Sequence, residues 1–198
     1  NLMTAPDLSA AAVELCQHRG YEFRGELGRG AFKSAYLALT PDGPVALKMA
    51  IITGAPDRLM RESAALQTCS HPSIANLLEA FPFEYGQVVL WVVCEEYLSG
   101  GTLEQRLHGQ VLPQGEVRRI GICLAKVLAH LHERRLVHRD IKPANILFRD
   151  DPQVPVLTDF GVVRMLDQPT LTRAFLGMGP GTPAYAAPEQ LNNEKAQI

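Results

Sequence analysis

No run of apolar residues is longer than the seven at positions 88–94. A membrane-crossing helix needs roughly 20, so the sequence offers none. Its opening, Asn1-Leu2-Met3-Thr4, lacks the charged-then-apolar order of a secretory signal, and a cytoplasmic setting is expected. An excess of one charge is also missing. Nineteen Lys and Arg face 21 Asp and Glu, a formal net charge of −2. That balance excludes the broad positive field that nucleic acid or an anionic membrane would call for, and any phosphate binding must be local. Cysteine is sparse: Cys16, Cys69, Cys94 and Cys123 are scattered, with no Cys-x-x-Cys. Neither a disulfide framework nor a zinc site is expected, and buried reduced thiols are. Internal repeats and low-complexity tracts are absent, and the Pro/Gly clusters are no longer than turns.

What is present reads as one α+β domain. Residues 7–18 form a short amphipathic pattern, with Leu8, Ala11, Ala12 and Leu15 on one side. From Tyr21 to Ile52 the pattern turns to β-prone runs, broken at Gly28-Arg29-Gly30 and at Pro41-Asp42-Gly43-Pro44. A helix is predicted from Asp57 to Cys69, closed by His71-Pro72, and then a strand pair over 74–83 and 87–97. An antiparallel sheet of about five strands results, a common size. The clearest helix spans 114–134, where Val117, Ile120, Leu124, Val127, Leu128 and Leu131 mark one buried stripe.

Six segments carry chemistry. Gly28-Arg29-Gly30-Ala31-Phe32-Lys33 joins two predicted strands. A Rossmann turn or P-loop needs a helix there instead, and alone a Gly-x-Gly hairpin is commoner than a nucleotide site. Val45-Ala46-Leu47-Lys48 follows within a strand, where a lysine is ordinarily a solvated side chain. Glu62 lies on the helix that comes next. His138-Arg139-Asp140-Ile141-Lys142-Pro143-Ala144-Asn145 directly follows the long helix, and Asp159-Phe160-Gly161 comes 14 residues after Asn145. Last is Gly181-Thr182-Pro183-Ala184-Tyr185-Ala186-Ala187-Pro188-Glu189.

In type and order these segments resemble the eukaryotic-type serine/threonine protein kinases over residues 21–191, and their style is similar to bacterial members. The resemblance implies a two-lobed fold: an N-terminal helical extension at 1–20, a smaller lobe at 21–97, and at 98–198 a hinge and part of a mainly helical lobe. It implies a Gly28/Gly30 loop with Lys33 over the phosphates of ATP, and Lys48 on those phosphates with Glu62 as its partner. Ala46 and the backbone of Glu96 and Leu98 would hold the adenine. Asp140 would accept the proton of the attacking hydroxyl, Lys142 would contact the transferred phosphoryl group, and Asn145 and Asp159 would hold Mg2+. The implied substrate is a protein, and Thr170 and Thr172 are candidate sites of regulatory phosphorylation.

Two departures stand out. Glu95 occupies a position that is usually apolar or small, so either it finds a cationic partner or the register is one residue off. The sequence also ends at Ile198, where the family continues with further helices. It is then a fragment, a short kinase completed by a partner, or a chain that dimerises. A nucleotide-binding or scaffolding module is the alternative to an active enzyme.

Overall fold

The computed structural model describes residues 7–29, 33–52, 56–134, 136–138, 140–160 and 183–188, with the backbone alone at 58, 61, 62, 65 and 183. Two compact units divide the chain: Asn1–Thr68 with Asn76–Tyr97, and Cys69–Ala75 with Leu98–Ile198.

In the first unit, α1 (Leu8–Arg19) precedes β1 (Glu22–Arg29), β2 (Lys33–Thr40) and β3 (Gly43–Ile52). Then come α2 (Asp57–Gln67), β4 (Leu77–Tyr85) and β5 (Val88–Glu96). All five strands pair antiparallel in the order β1-β2-β3-β5-β4, the sheet that the alternation and the turn residues predict. The helix α2 stops at Gln67, two residues short of the expected Cys69.

Both ends of α1 are closed locally. The Asp7 carboxylate accepts a hydrogen bond from the Ser9 N–H at 2.9 Å, the usual work of an N-terminal cap. At the other end Gly20 takes φ 67°, and Tyr21 N–H reaches the Cys16 carbonyl at 2.8 Å. Only a residue without Cβ enters that left-handed conformation cheaply. The helix then lays Ala11, Ala12, Leu15 and Cys16 onto one face of the sheet, against Tyr36, Ala38, Val45, Leu47, Met49, Leu90, Val92 and Cys94. Arg19 fastens it sideways, pairing with Glu79 at 3.2 Å and stacking over the Phe81 ring.

Leu15, 2% exposed, is the largest of the helix's buried side chains. Leu15→Ala is expected to lower the unfolding free energy by about 2–5 kcal/mol in urea titrations, the range for large-to-small core changes. The exposed neighbour change Gln17→Ala should stay within about 0.5 kcal/mol. The cysteines are free, with Cys16, Cys69 and Cys94 buried. Burial pushes the Cys94 thiol up to about 12, so it stays protonated at neutral pH.

The second unit holds α3 (Leu103–Leu107), α4 (Gln114–Glu133), and a hairpin of β6 (Ile146–Phe148) with β7 (Pro155–Leu157). Residues 69–75 join it through β7: Leu157 N–H donates to the Ser73 carbonyl at 2.8 Å, and Ala75 N–H to the Leu157 carbonyl at 3.0 Å. Gly100 N–H donates to the Phe148 carbonyl at 2.9 Å. A Cβ on Gly100 would lie 2.2 Å from the Arg149 carbonyl oxygen, so this close approach admits glycine alone. A capping box, Thr102 with Gln105, opens α3.

The long helix forms where its periodicity places it, but its buried line is narrower than predicted. Ile120, Val127 and Leu131 are buried, Leu124 is half-buried, and Val117 and Leu128 are exposed. Periodicity identifies the apolar side of a helix and says nothing of what covers each turn. Among the described residues no helix is long and apolar enough to cross a membrane.

Candidate active site

In the first unit the site residues follow from sheet register. One row runs Gly28–Ala35–Lys48–Val93 across β1, β2, β3 and β5, and the neighbouring row on the same face is Leu37–Ala46–Glu95. Lys48 therefore shares a level of the sheet with the glycine segment, while Glu95 lies one pleat repeat toward the end of β5. Both β3 and β5 are apolar on each face, so these two charged side chains are buried, at 9% and 5% exposure.

They meet each other. Lys48 Nζ donates to Glu95 Oε2 at 2.5 Å. Two charges at this depth persist only as a pair, and removing one partner of such a pair typically costs about 3–5 kcal/mol. Of the two readings open for Glu95, the structure realises the cationic partner. The side chain of Glu62, the partner implied by resemblance, lies outside the described residues.

Ala46 is buried beside this pair. The Glu96 N–H donates to the Asn76 carbonyl at 3.0 Å, and its carboxylate accepts from the Asn76 N–H at 2.9 Å. Gly28 is on β1, with nothing within 4 Å of where a Cβ would stand. Lys33 opens β2, and Gly30 lies outside the described residues.

In the second unit Leu98 is buried against Ala75 and Val156. The segment between α4 and β6 brings Asp140, Lys142 and Asn145 together. Asp140 Oδ2 accepts from Lys142 Nζ at 2.9 Å and from Asn145 Nδ2 at 2.8 Å, and the Asp140 carbonyl accepts from the same Nδ2 at 2.7 Å. A short 3-10 turn, Pro143–Asn145, makes this reach possible, its Asn145 N–H closing onto the Lys142 carbonyl at 3.0 Å. Carboxylate and carbonyl oxygens only accept, so the amide nitrogen of Asn145 must face Asp140. Its oxygen is thereby turned the other way.

His138 fixes the loop from beneath. It is 2% exposed, its Nε2 lies 2.7 Å from the Thr158 carbonyl, and its Nδ1 lies 3.2 Å from the Asp140 nitrogen. A carbonyl must accept and a backbone N–H must donate, so the proton sits on Nε2 and the ring is neutral. Thr158 N–H donates to the Asn145 carbonyl at 3.0 Å, tying the loop to the residue before Asp159. Phe160 packs edge-on to His138, with ring centroids 4.6 Å apart.

Asp159 has φ 70°, the one positive value among described non-glycine residues. Holding that conformation costs on the order of 1–3 kcal/mol, and such strain gathers at functional sites. The sequence pattern marks the residue but not its backbone. Arg139, Gly161, Thr170, Thr172, Gly181, Thr182 and Glu189 lie outside the described residues.

Chemically, the second unit offers a carboxylate acceptor braced by an amine (Asp140 with Lys142), an amide oxygen (Asn145) and a second carboxylate (Asp159). Two hard oxygen donors of this kind fit Mg2+, which takes few protein ligands and completes its shell with water and phosphate. The first unit offers a buried ammonium beside a glycine-bearing strand.

The chain is similar in sequence to known proteins. CBL-interacting protein kinase 4 of Oryza sativa subsp. japonica is 35% identical over 183 residues, covering 86% of this chain and 39% of that protein. Serine/threonine-protein kinase PknF of Mycobacterium tuberculosis is 36% identical over 186 residues, 87% of this chain and 38% of its own length. Serine/threonine-protein kinase 1 of Arabidopsis thaliana is 34% identical over 182 residues, 88% and 21% respectively. The chain thus spans less than half of each, and the likeness extends equally to plant and bacterial proteins. The model for the protein kinase domain matches residues 21–198, and with these relatives it establishes that the chain belongs to the protein kinase family.

Proposed function

We propose that this chain catalyses transfer of the γ-phosphate of ATP to serine and threonine residues of proteins. The observation that carries the reading is the braced carboxylate: Asp140 is held by both Lys142 and Asn145 within one short loop. Phosphoryl transfer asks little covalent chemistry of a protein. It asks for positioning and for charge neutralisation.

In this reading Asp140 orients the acceptor hydroxyl and takes its proton, while Lys142 meets the charge that develops on the moving phosphoryl group. Lys48 and the Gly28 segment, with Lys33, receive the phosphates, and Ala46 and the backbone of Glu96 and Leu98 seat the adenine. Glu62 is a further carboxylate for Lys48. Asn145 and Asp159 would hold Mg2+, which when bound neutralises the phosphate oxygens. Thr170 and Thr172 would take regulatory phosphate. Free cysteine thiols suit a reducing, cytoplasmic setting.

Melting the chain with ADP, with and without Mg2+, tests the nucleotide part of this reading. A ligand at about 100 times its Kd adds about 2.7 kcal/mol to the native state. A rise in Tm of several degrees that needs both ADP and Mg2+ is expected. No rise at millimolar ADP and Mg2+ contradicts the proposal.

A further inference from the structure

Resting on the nucleotide reading just given, we propose that Glu95 is an affinity-determining residue: an internal counter-charge for Lys48 that the phosphates of the nucleotide must displace.

Three observations carry this. The Lys48 ammonium and the Glu95 carboxylate are in contact at 2.5 Å, and both are buried. The register places Glu95 opposite Ala46, one pleat repeat from the Gly28–Ala35–Lys48 row. Lys48 therefore stands between two classes of anion, a fixed carboxylate on one side and, at the glycine level, incoming phosphate. Finally, β5 places Trp91, Val93 and Glu95 on one face of the strand, and at 5% exposure the carboxylate has little water to screen its charge.

An ammonium carries one positive charge however many hydrogen bonds it donates. While Glu95 neutralises it, Lys48 offers phosphate a reduced attraction. Once phosphate arrives, Glu95 adds a like charge nearby, and like charges in apposition oppose binding. Both effects weaken phosphate-bearing ligands and leave a ligand without phosphate untouched. Removing the carboxylate charge should therefore improve nucleotide binding, an outcome that a poorly folded variant cannot imitate.

The experiment is calorimetric titration of wild type, Glu95→Gln and Glu95→Met with Mg-ADP and, separately, with adenosine. The inference expects Kd for Mg-ADP to fall about tenfold in both variants, about 1.4 kcal/mol, with adenosine affinity constant to within about twofold. Unchanged or weaker Mg-ADP binding in the variants, or a parallel shift for adenosine, overturns the role of Glu95 while wild-type binding leaves the nucleotide reading standing. Wild type that binds neither ligand overturns the nucleotide reading, and this inference with it.

Discussion

Asp140→Asn is expected to retain nucleotide binding and lose phosphoryl transfer, kcat falling by about 10³, within the range that one positioned acid–base group contributes. The substitution is nearly isosteric, so the loop keeps its path from His138 through the 3-10 turn. What it removes is the charge that pairs with Lys142 at 2.9 Å and the basicity that receives the acceptor's proton. Mg-ADP affinity should change little, because Asn145 and Asp159 remain. Steady-state rates at saturating Mg-ATP, with Mg-ADP titrations on the same preparations, check this. Equal turnover in variant and wild type would remove Asp140 from the chemistry.

Lys48→Met is expected to do two separable things. Transfer should fall by about 10² to 10³, the scale for losing one electrostatic contact to a developing charge. Stability should also fall, by about 3–5 kcal/mol, because Glu95 is left buried without its ammonium. Lys48→Met combined with Glu95→Met replaces the pair by apolar side chains, and such replacements are often neutral or stabilising. Urea unfolding should therefore recover in the double variant while transfer stays lost. Recovery of both would mean that Lys48 serves the fold alone.

The structure also shows which features a sequence can reveal. The five strands were legible because alternation and the Gly and Pro turns mark hairpins locally, and each hairpin fixes its own register. Asp140, Lys142 and Asn145 were legible as a group because they lie within six residues of each other, and one turn of 3-10 helix suffices to bring them together. The partnership of Lys48 with Glu95 was not legible in full. It joins residues 47 positions apart and depends on the register of β3 against β5. Its trace in the sequence is a carboxylate at the end of an apolar strand, a group that burial obliges to find a cation. The exposure of Val117 and Leu128 departs from a single buried stripe for the opposite reason, since periodicity reports a helix's own apolar side and not what covers it.

The positive φ of Asp159 and the exclusion of any side chain at Gly100 were likewise silent. Each depends on backbone approaching backbone in the folded unit, as where Thr158 N–H meets the Asn145 carbonyl and Gly100 N–H meets the Phe148 carbonyl. Asp is among the few residue types that tolerate a left-handed conformation, so its identity permits this geometry without announcing it.

The most direct measurement is incubation of the chain with Mg2+, γ-labelled ATP and a generic basic protein, followed by hydrolysis and identification of the labelled amino acids. Label on phosphoserine and phosphothreonine, absent with Asp140→Asn, is the predicted result. A chain that binds Mg-ADP and yet transfers no label, to itself or to the acceptor, would contradict the account.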